Sequence, residues 1–140
     1  MAIHFFFADA KIALTERTRL KRFIASIFKK EGVRFLNLNY IFCSDDYLLG
    51  INRQFLKHDF YTDIITFDIS EKGMPVNGEI YISVDRVVDN ANTLTQSIKH
   101  ELHRVLFHGV IHLCGYSDKS VKEKMTMRKK EEEYLSLYFK

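Results

Sequence analysis

Hydrophobic residues recur along the chain with two periods, and these predict both strands and helices. Apolar residues that alternate with polar ones, or short runs rich in aromatic and β-branched side chains, predict strands at residues 3–7, 36–42, 63–69 and 78–83. A period near 3.6 predicts helices at residues 16–30, 45–56, 84–91, 96–114 and 120–139. Because strands and helices alternate, we expect an α+β or α/β layer architecture.

Turn and capping residues set the expected boundaries of these elements. Ser44 is placed to cap the second helix, and Thr93 or Thr95 is expected to start the fourth. Gly73 and Pro75 lie between the third and fourth strands, which predicts a hairpin with a long loop.

The last two helices differ in their patterns. The fourth is apolar nearly all round at its C-terminal end, which is typical of a buried helix. In the fifth, we expect Val121, Met125, Leu135 and Tyr138 to face inward, and the acidic run at residues 131–133 to face solvent.

Composition narrows the class of protein. The chain has 140 residues, of which 46% are hydrophobic, so one domain over residues 1–140 can bury a core without the help of disulfides or a structural metal. Cys43 and Cys114 form no Cys-x-x-Cys pair, which indicates a reducing cytoplasmic compartment and no disulfide partner. We find no leader and no apolar run of membrane-spanning length, so the protein is expected to be soluble. A net charge of +3 permits RNA binding without requiring it.

The densest chemistry lies in the sequence His-Gly-Val-Ile-His-Leu-Cys-Gly-Tyr-Ser-Asp at residues 108–118. His108 and His112 fall one helical turn apart on one face. Gly115 can adopt the left-handed conformation that ends the helix and returns Asp118 toward the two imidazoles. These residues predict a site with three protein ligands, for which nitrogen and oxygen donors favour zinc. The alternative is two satisfied core histidines and an Asp118 that only caps the last helix; the Gly-Tyr turn favours the metal.

Neighbouring residues are weaker candidates. A helical wheel places His100 and His103 away from the two ligands, and Cys114 is more typical of a small buried hydrophobe. We expect Glu101 and Arg104 to pair on the surface rather than to support the ligands. The basic residues between 119 and 130 either steer a phosphate backbone or form a solvated face.

Gly109 stands where the His-Glu-x-x-His motif of metalloproteases has its general base. Peptide hydrolysis therefore lacks its usual base. A metal that lowers the pKa of water still suits hydrolysis or transesterification of a phosphodiester.

Together these residues resemble the YbeY family of endoribonucleases, whose signature is His-Gly-x-x-His-Leu-x-Gly-Tyr-Asp-His. Asn52, the run Thr-Asp-Ile-Ile-Thr-Phe at residues 62–67 and the strand Gly-Glu-Ile-Tyr-Ile-Ser at residues 78–83 are similar to further motifs of that family. The likeness covers about half of the chain, residues 52–118.

The resemblance implies a fold, an activity and partners. The fold is a mixed sheet of about four strands flanked by about five helices, with zinc at the end of a buried helix. The activity is single-strand-specific cleavage of RNA in ribosomal RNA maturation and ribosome quality control, with the ribosome as a partner. His108 and His112 would be catalytic and, with Asp118, would bind the metal. The residues implied for the RNA groove are Arg53, Lys57, His58, Thr62 and Asp63.

The sequence departs from the family pattern at two positions. Asp118 stands in place of the third histidine, and Leu56, beside Lys57, in place of an arginine. A carboxylate is a sound zinc ligand, but it should acidify bound water less than a third imidazole. Two alternatives therefore stay open: a non-catalytic ribosome-assembly or RNA-binding protein with a structural metal, and a metal hydrolase of another substrate. The sequence does not indicate which residue would be the general base; the candidates in the groove are Glu79, Asp63 and His58.

Overall fold

A computed structural model of the protein describes residues 2–140 as four strands and five helices. In chain order the elements are β1 (Ala2–Phe7), α1 (Arg17–Lys30), β2 (Phe35–Cys43), α2 (Asp45–Leu56), β3 (Ile64–Asp68), β4 (Val76–Ser83), α3 (Val84–Thr93), α4 (Ile98–Leu113) and α5 (Val121–Tyr138). The mixed architecture expected from the sequence is confirmed. Within the described residues, no helix is both long and apolar enough to cross a bilayer.

The four strands form one mixed sheet in the order β1-β2-β4-β3. β1 and β4 both pair in parallel with β2, while β3 pairs antiparallel with β4 in the predicted hairpin. Among residues 2–140, β3 is therefore an edge strand, with one side of its backbone free of strand partners.

Helices cover both faces of the sheet. Ile80 and Ile82 of β4 pack into the main core with α4 residues such as Val110, and α1 contributes to the same core. Tyr81, which points to the opposite face, packs with Leu48 of α2 and Ile65 of β3. Because successive side chains of a strand point to opposite faces, β4 contributes apolar residues to the cores on both sides of the sheet.

Close packing against the sheet sets the position of α4. The hydroxyl of Tyr40 donates a hydrogen bond of 2.9 Å to the carbonyl oxygen of Leu106 in the buried interior. A Cβ atom on Gly109 would lie 2.7 Å from Cδ1 of Ile80, so only glycine allows this approach without a shift. The residue that replaces the protease glutamate therefore has a packing function.

Two predictions about the last helices are wrong. α4 begins at Ile98 with Ser97 as its cap, because Thr93 still belongs to α3 and Thr95 has a left-handed φ of 55°. Ser97 accepts a hydrogen bond from the backbone N–H of His100, as an N-cap does.

In α5, Val121 and Met125 are exposed, at 77% and 69%. The buried stripe instead runs through Met127, Glu131, Tyr134, Leu135 and Tyr138. Met125 lies about 200° around the helix from Met127, so it cannot share that stripe.

Candidate metal centre

The C-terminal end of α4 positions both histidines. The helix ends at Leu113, and Gly115 then adopts a φ of 101°, the left-handed turn expected from the sequence. The chain reverses before α5, whose N-cap is Ser120. Asp118 therefore lies in the connecting turn and does not cap the helix, contrary to the alternative reading of that residue.

Three donor atoms converge at this turn. Oδ2 of Asp118 lies 3.4 Å from Nε2 of His108 and 3.4 Å from Nε2 of His112. The donor atoms of all three residues lie within 4.8 Å of one another. Tetrahedral zinc with bonds of about 2.0–2.1 Å needs ligand atoms about 3.3 Å apart. The residues present therefore fit a small divalent ion.

The hydrogen bonds of the two imidazoles fix their tautomers. Nδ1 of His108 donates to a carboxylate oxygen of Glu131 at 2.5 Å, and Nδ1 of His112 donates to the carbonyl oxygen of Tyr116 at 2.8 Å. Because both partners are acceptors, each Nδ1 carries a proton and each neutral ring keeps its lone pair on Nε2. Both lone pairs then face Asp118, which is typical of metal-ligating histidines.

Glu131 belongs to a buried ionic cluster behind His108. Arg104 forms ion pairs with Glu101 at 2.7 Å and with Glu131 at 3.1 Å, and Asp63 lies 3.7 Å from the same guanidinium. The expected pairing of Glu101 with Arg104 is confirmed, but its expected surface location is wrong, because Glu101 is fully buried. Burial would raise the pKa of Glu131, yet the hydrogen bond from His108 and the charge of Arg104 outweigh it and lower that pKa.

The prediction that Glu131 faces solvent is wrong, since only 5% of the residue is exposed. A signal was present in the sequence. Glu131 lies four residues after Met127 and four before Leu135, on the same helical stripe as these buried residues. A carboxylate on an apolar stripe needs a buried partner, and His108 is that partner.

A second cluster holds the turn that carries the third donor. Glu31, at the end of α1, accepts hydrogen bonds from the hydroxyls of Tyr116, at 2.8 Å, and Tyr134, and from Nζ of Lys130 at 3.0 Å. Burial would raise the pKa of Glu31, but these donors outweigh it and lower that pKa. Tyr116 thus joins Glu31 through its side chain and His112 through its carbonyl oxygen.

The donor atoms open into a cavity of about 770 Å³ between the end of α4, the segment at residues 57–63 and the edge strand β3. Of the implied groove residues, His58, Thr62 and Asp63 line this cavity, as does Leu56. Burial raises the pKa of Asp63, although the positive charge of Arg104 opposes the shift.

The other two implied groove residues lie outside the described lining of the cavity. Arg53 forms an ion pair with Asp59. Lys57 caps the C-terminus of α2 with a left-handed φ of 58°.

His103 and Cys114 lie apart from the donor group. Nδ1 of His103 donates to the carbonyl oxygen of Lys99 at 2.7 Å, and its ring packs on Tyr138. Burial raises the pKa of the Cys114 thiol to about 12, so this side chain stays protonated near neutral pH. Neither residue is one of the three donors, as the sequence predicted.

Comparison with known proteins adds a family to this geometry. A sequence model described as Endoribonuclease YbeY matches residues 6–138 of the chain. Endoribonuclease YbeY of Cytophaga hutchinsonii is 54% identical over 135 residues, which cover 96% of this chain and 94% of the relative. Endoribonuclease YbeY of Flavobacterium psychrophilum is 45% identical over 125 residues, 89% of each chain.

A solved structure agrees with the fold. The solution structure of TM1509 from Thermotoga maritima superposes with a TM-score of 0.63 at 27% sequence identity, covering 99% of this chain and 89% of that one. The family match includes α4, the turn that follows it and α5, the parts of the chain that carry the three donors and Glu131. The chain therefore belongs to the endoribonuclease YbeY family.

Proposed function

We propose that this protein is a zinc-dependent endoribonuclease that cuts single-stranded RNA in ribosomal RNA maturation and ribosome quality control. It would act in the cytoplasm, with the ribosome as its partner. The observation that supports the proposal most directly is the convergence of His108, His112 and Asp118 at the wall of an open cavity. The relatives named Endoribonuclease YbeY supply the class of reaction.

A divalent ion held by these three residues would supply Lewis-acid polarisation of a phosphoryl oxygen and would lower the pKa of water. The protein side of the site orients the donors. Glu131 holds His108 through Nδ1, and the carbonyl oxygen of Tyr116 holds His112. Because a hydrogen bond at Nδ1 already orients each ring, the rings need not lose rotational freedom when an ion binds at Nε2.

Asp118 changes the charge of the site relative to three imidazoles. Two neutral rings and one carboxylate leave a bound divalent ion with a net charge of about +1, rather than +2. This lower charge still favours a phosphodiester. We expect cleavage to reach its full rate at a higher pH than it would with three imidazole ligands, because water bound at a less positive site has a higher pKa.

The cavity wall provides the proposed contacts to RNA. His58, Thr62 and Asp63 line it beside the donors. Lys57, at the start of that segment, and Arg53, in the last turn of α2, lie outside the described lining, where they would meet phosphates that flank the cut.

The proposal is tested with zinc-loaded protein and one labelled RNA, offered single-stranded and annealed to its complement. We expect cleavage of the single strand only. His108→Ala should lower the rate at least 100-fold, as removal of a ligand of a catalytic metal does. His4→Ala is the matched control, because His4 is exposed on β1 at the opposite edge of the sheet from β3. Equal cleavage by the wild type and His108→Ala would reject the proposal.

A structural metal is the second candidate, and one observation favours it. The three donors span the end of α4 and the turn that leads into α5, so an ion would also join these two helices. Chelation would then unfold the protein. We expect instead that the chelated protein keeps its circular dichroism and loses cleavage, because the core of the described residues is apolar and independent of the donors.

A further inference from the structure

The loop between α2 and β3 carries two adjacent aromatic residues that are almost equally exposed. Phe60 is 56% exposed and Tyr61 is 55% exposed. Only the first of them belongs to the described lining of the cavity that contains the donor atoms. The hydroxyl of Tyr61 instead donates to Asp46 of α2 at 3.1 Å.

Phe60 is held in place by its own backbone. The side-chain amide of Asn52, which is 1% exposed, donates a hydrogen bond of 2.9 Å to the carbonyl oxygen of Phe60. Arg53 pairs with Asp59, the residue before it. A buried amide and an ion pair thus hold the backbone that presents this apolar ring at the rim of a polar site.

A single exposed phenylalanine is common on protein surfaces and requires no function. Here a second aromatic ring accompanies it. The imidazole of His58, which also lines the cavity, lies with its centroid 5.1 Å from that of Phe60 and its plane tilted by 21°. Two nearly parallel rings at the rim form a flat surface of the kind on which a nucleobase stacks.

The charges of the cavity favour a base over a phosphate at this surface. Three carboxylates line the cavity, those of Asp63, Asp68 and Asp118, and no lysine or arginine belongs to its described lining. Phosphate contacts from the protein are therefore scarce next to the donors. Affinity close to the cut must come from the metal ion and from the neutral faces of the bases.

Resting on the proposed function, we propose that Phe60, backed by His58, is a stacking subsite for one unpaired nucleobase next to the phosphodiester that is cut. Every base has a π-face, so the subsite accepts all four bases. A base within a duplex is already stacked and paired and cannot reach it. The subsite is therefore a determinant of single-strand specificity.

The test uses the zinc-loaded full-length chain and single-stranded RNA. Phe60→Ala should raise KM about tenfold with little change in kcat, since loss of one base–aromatic stack typically lowers affinity by that order. Phe60→Trp should restore the wild-type KM. Tyr61→Ala is the matched control, with equal exposure and no place in the cavity lining, and should match the wild type. Thermal melting checks that each variant folds.

A second measurement separates this inference from the proposed function. RNA carrying 2-aminopurine at single positions reports stacking through its fluorescence, whether or not the RNA is cut. We expect one position to change on binding to the wild type and not to Phe60→Ala. Identical KM values and fluorescence for Phe60→Ala and Tyr61→Ala would overturn the subsite and leave the nuclease intact. If the wild type leaves RNA uncut, the nuclease proposal fails, and the fluorescence still decides whether a base stacks on Phe60.

Discussion

At the scale of single residues, the donor site depends on a hydrogen bond that lies outside the signature motif. His108 and His112 share a helix face because of their spacing, and Gly115 returns Asp118 to them; this local geometry is predictable from the sequence. Glu131 is different. It meets His108 only because α5 packs against α4, and no local pattern indicates which partner a carboxylate on another helix will find.

We predict that Glu131 tunes the affinity of the site for metal. Glu131→Ala removes the acceptor for Nδ1 of His108, which frees the ring and its tautomer, and should weaken zinc binding about 10–100-fold. Competition with a chromophoric chelator measures this affinity. Glu132→Ala, exposed on the same helix, is the control and should leave zinc binding unchanged. Unaltered affinity in Glu131→Ala would show that the carboxylate only balances Arg104.

At the scale of elements, strand and helix types were predictable because each has a clear hydrophobic period. The residues at which these elements begin and end were less predictable. Ser97 caps α4, although Thr93 and Thr95 are also favourable capping residues, because α3 continues through Thr93 and Thr95 has a left-handed φ. The phase of α5 was also missed, since its buried stripe contains a glutamate that hydropathy alone places on the surface.

We predict that two helical glycines respond in opposite ways to alanine. Gly50 of α2 is exposed, and a Cβ there would meet nothing within 4 Å, so Gly50→Ala should stabilise the protein by about 0.5–1 kcal/mol through helix propensity. In Gly109→Ala the new Cβ would press on Ile80 and Ile64. Overpacking typically costs about 1–3 kcal/mol, which outweighs the gain in propensity.

Urea unfolding of the two variants measures both changes against the wild type. Displacement of α4 in Gly109→Ala should also weaken zinc binding, because His108 precedes the substituted position directly. Stabilisation by both substitutions would contradict the close approach of α4 to the sheet.

At the scale of the whole molecule, distant parts of the chain meet at Glu31. This carboxylate at the end of α1 joins the turn after α4, through Tyr116, to α5, through Lys130 and Tyr134. The β3–β4 hairpin was predictable from its turn residues. The mixed character of the sheet was expected only from the family resemblance, and the parallel pairing of β1 and β4 with β2 was not predicted.

We predict that Glu31 contributes stability that depends on pH. Its pKa in the folded protein is lowered from 4.5, so its contribution is present above that value and is lost as the pH falls through the folded pKa. Glu31→Gln should cost about 1–2 kcal/mol near neutral pH, because it weakens bonds from Lys130 and two tyrosines.

In acid the wild type and Glu31→Gln should converge in free energy of unfolding. Urea titrations near neutral pH and below the ordinary glutamate pKa measure the difference, with Glu132→Gln as an exposed control. A difference that stays constant across this range would mean that packing, and not the charge of Glu31, is responsible.

The most direct test of the central claim is an anomalous difference map from crystals of the metal-loaded protein, recorded on both sides of the zinc edge. We predict one strong peak per chain, within bonding distance of Nε2 of His108, Nε2 of His112 and the carboxylate of Asp118. A peak bound by the two histidines alone, or a peak elsewhere in the chain, would contradict the assignment of these three residues as the metal centre.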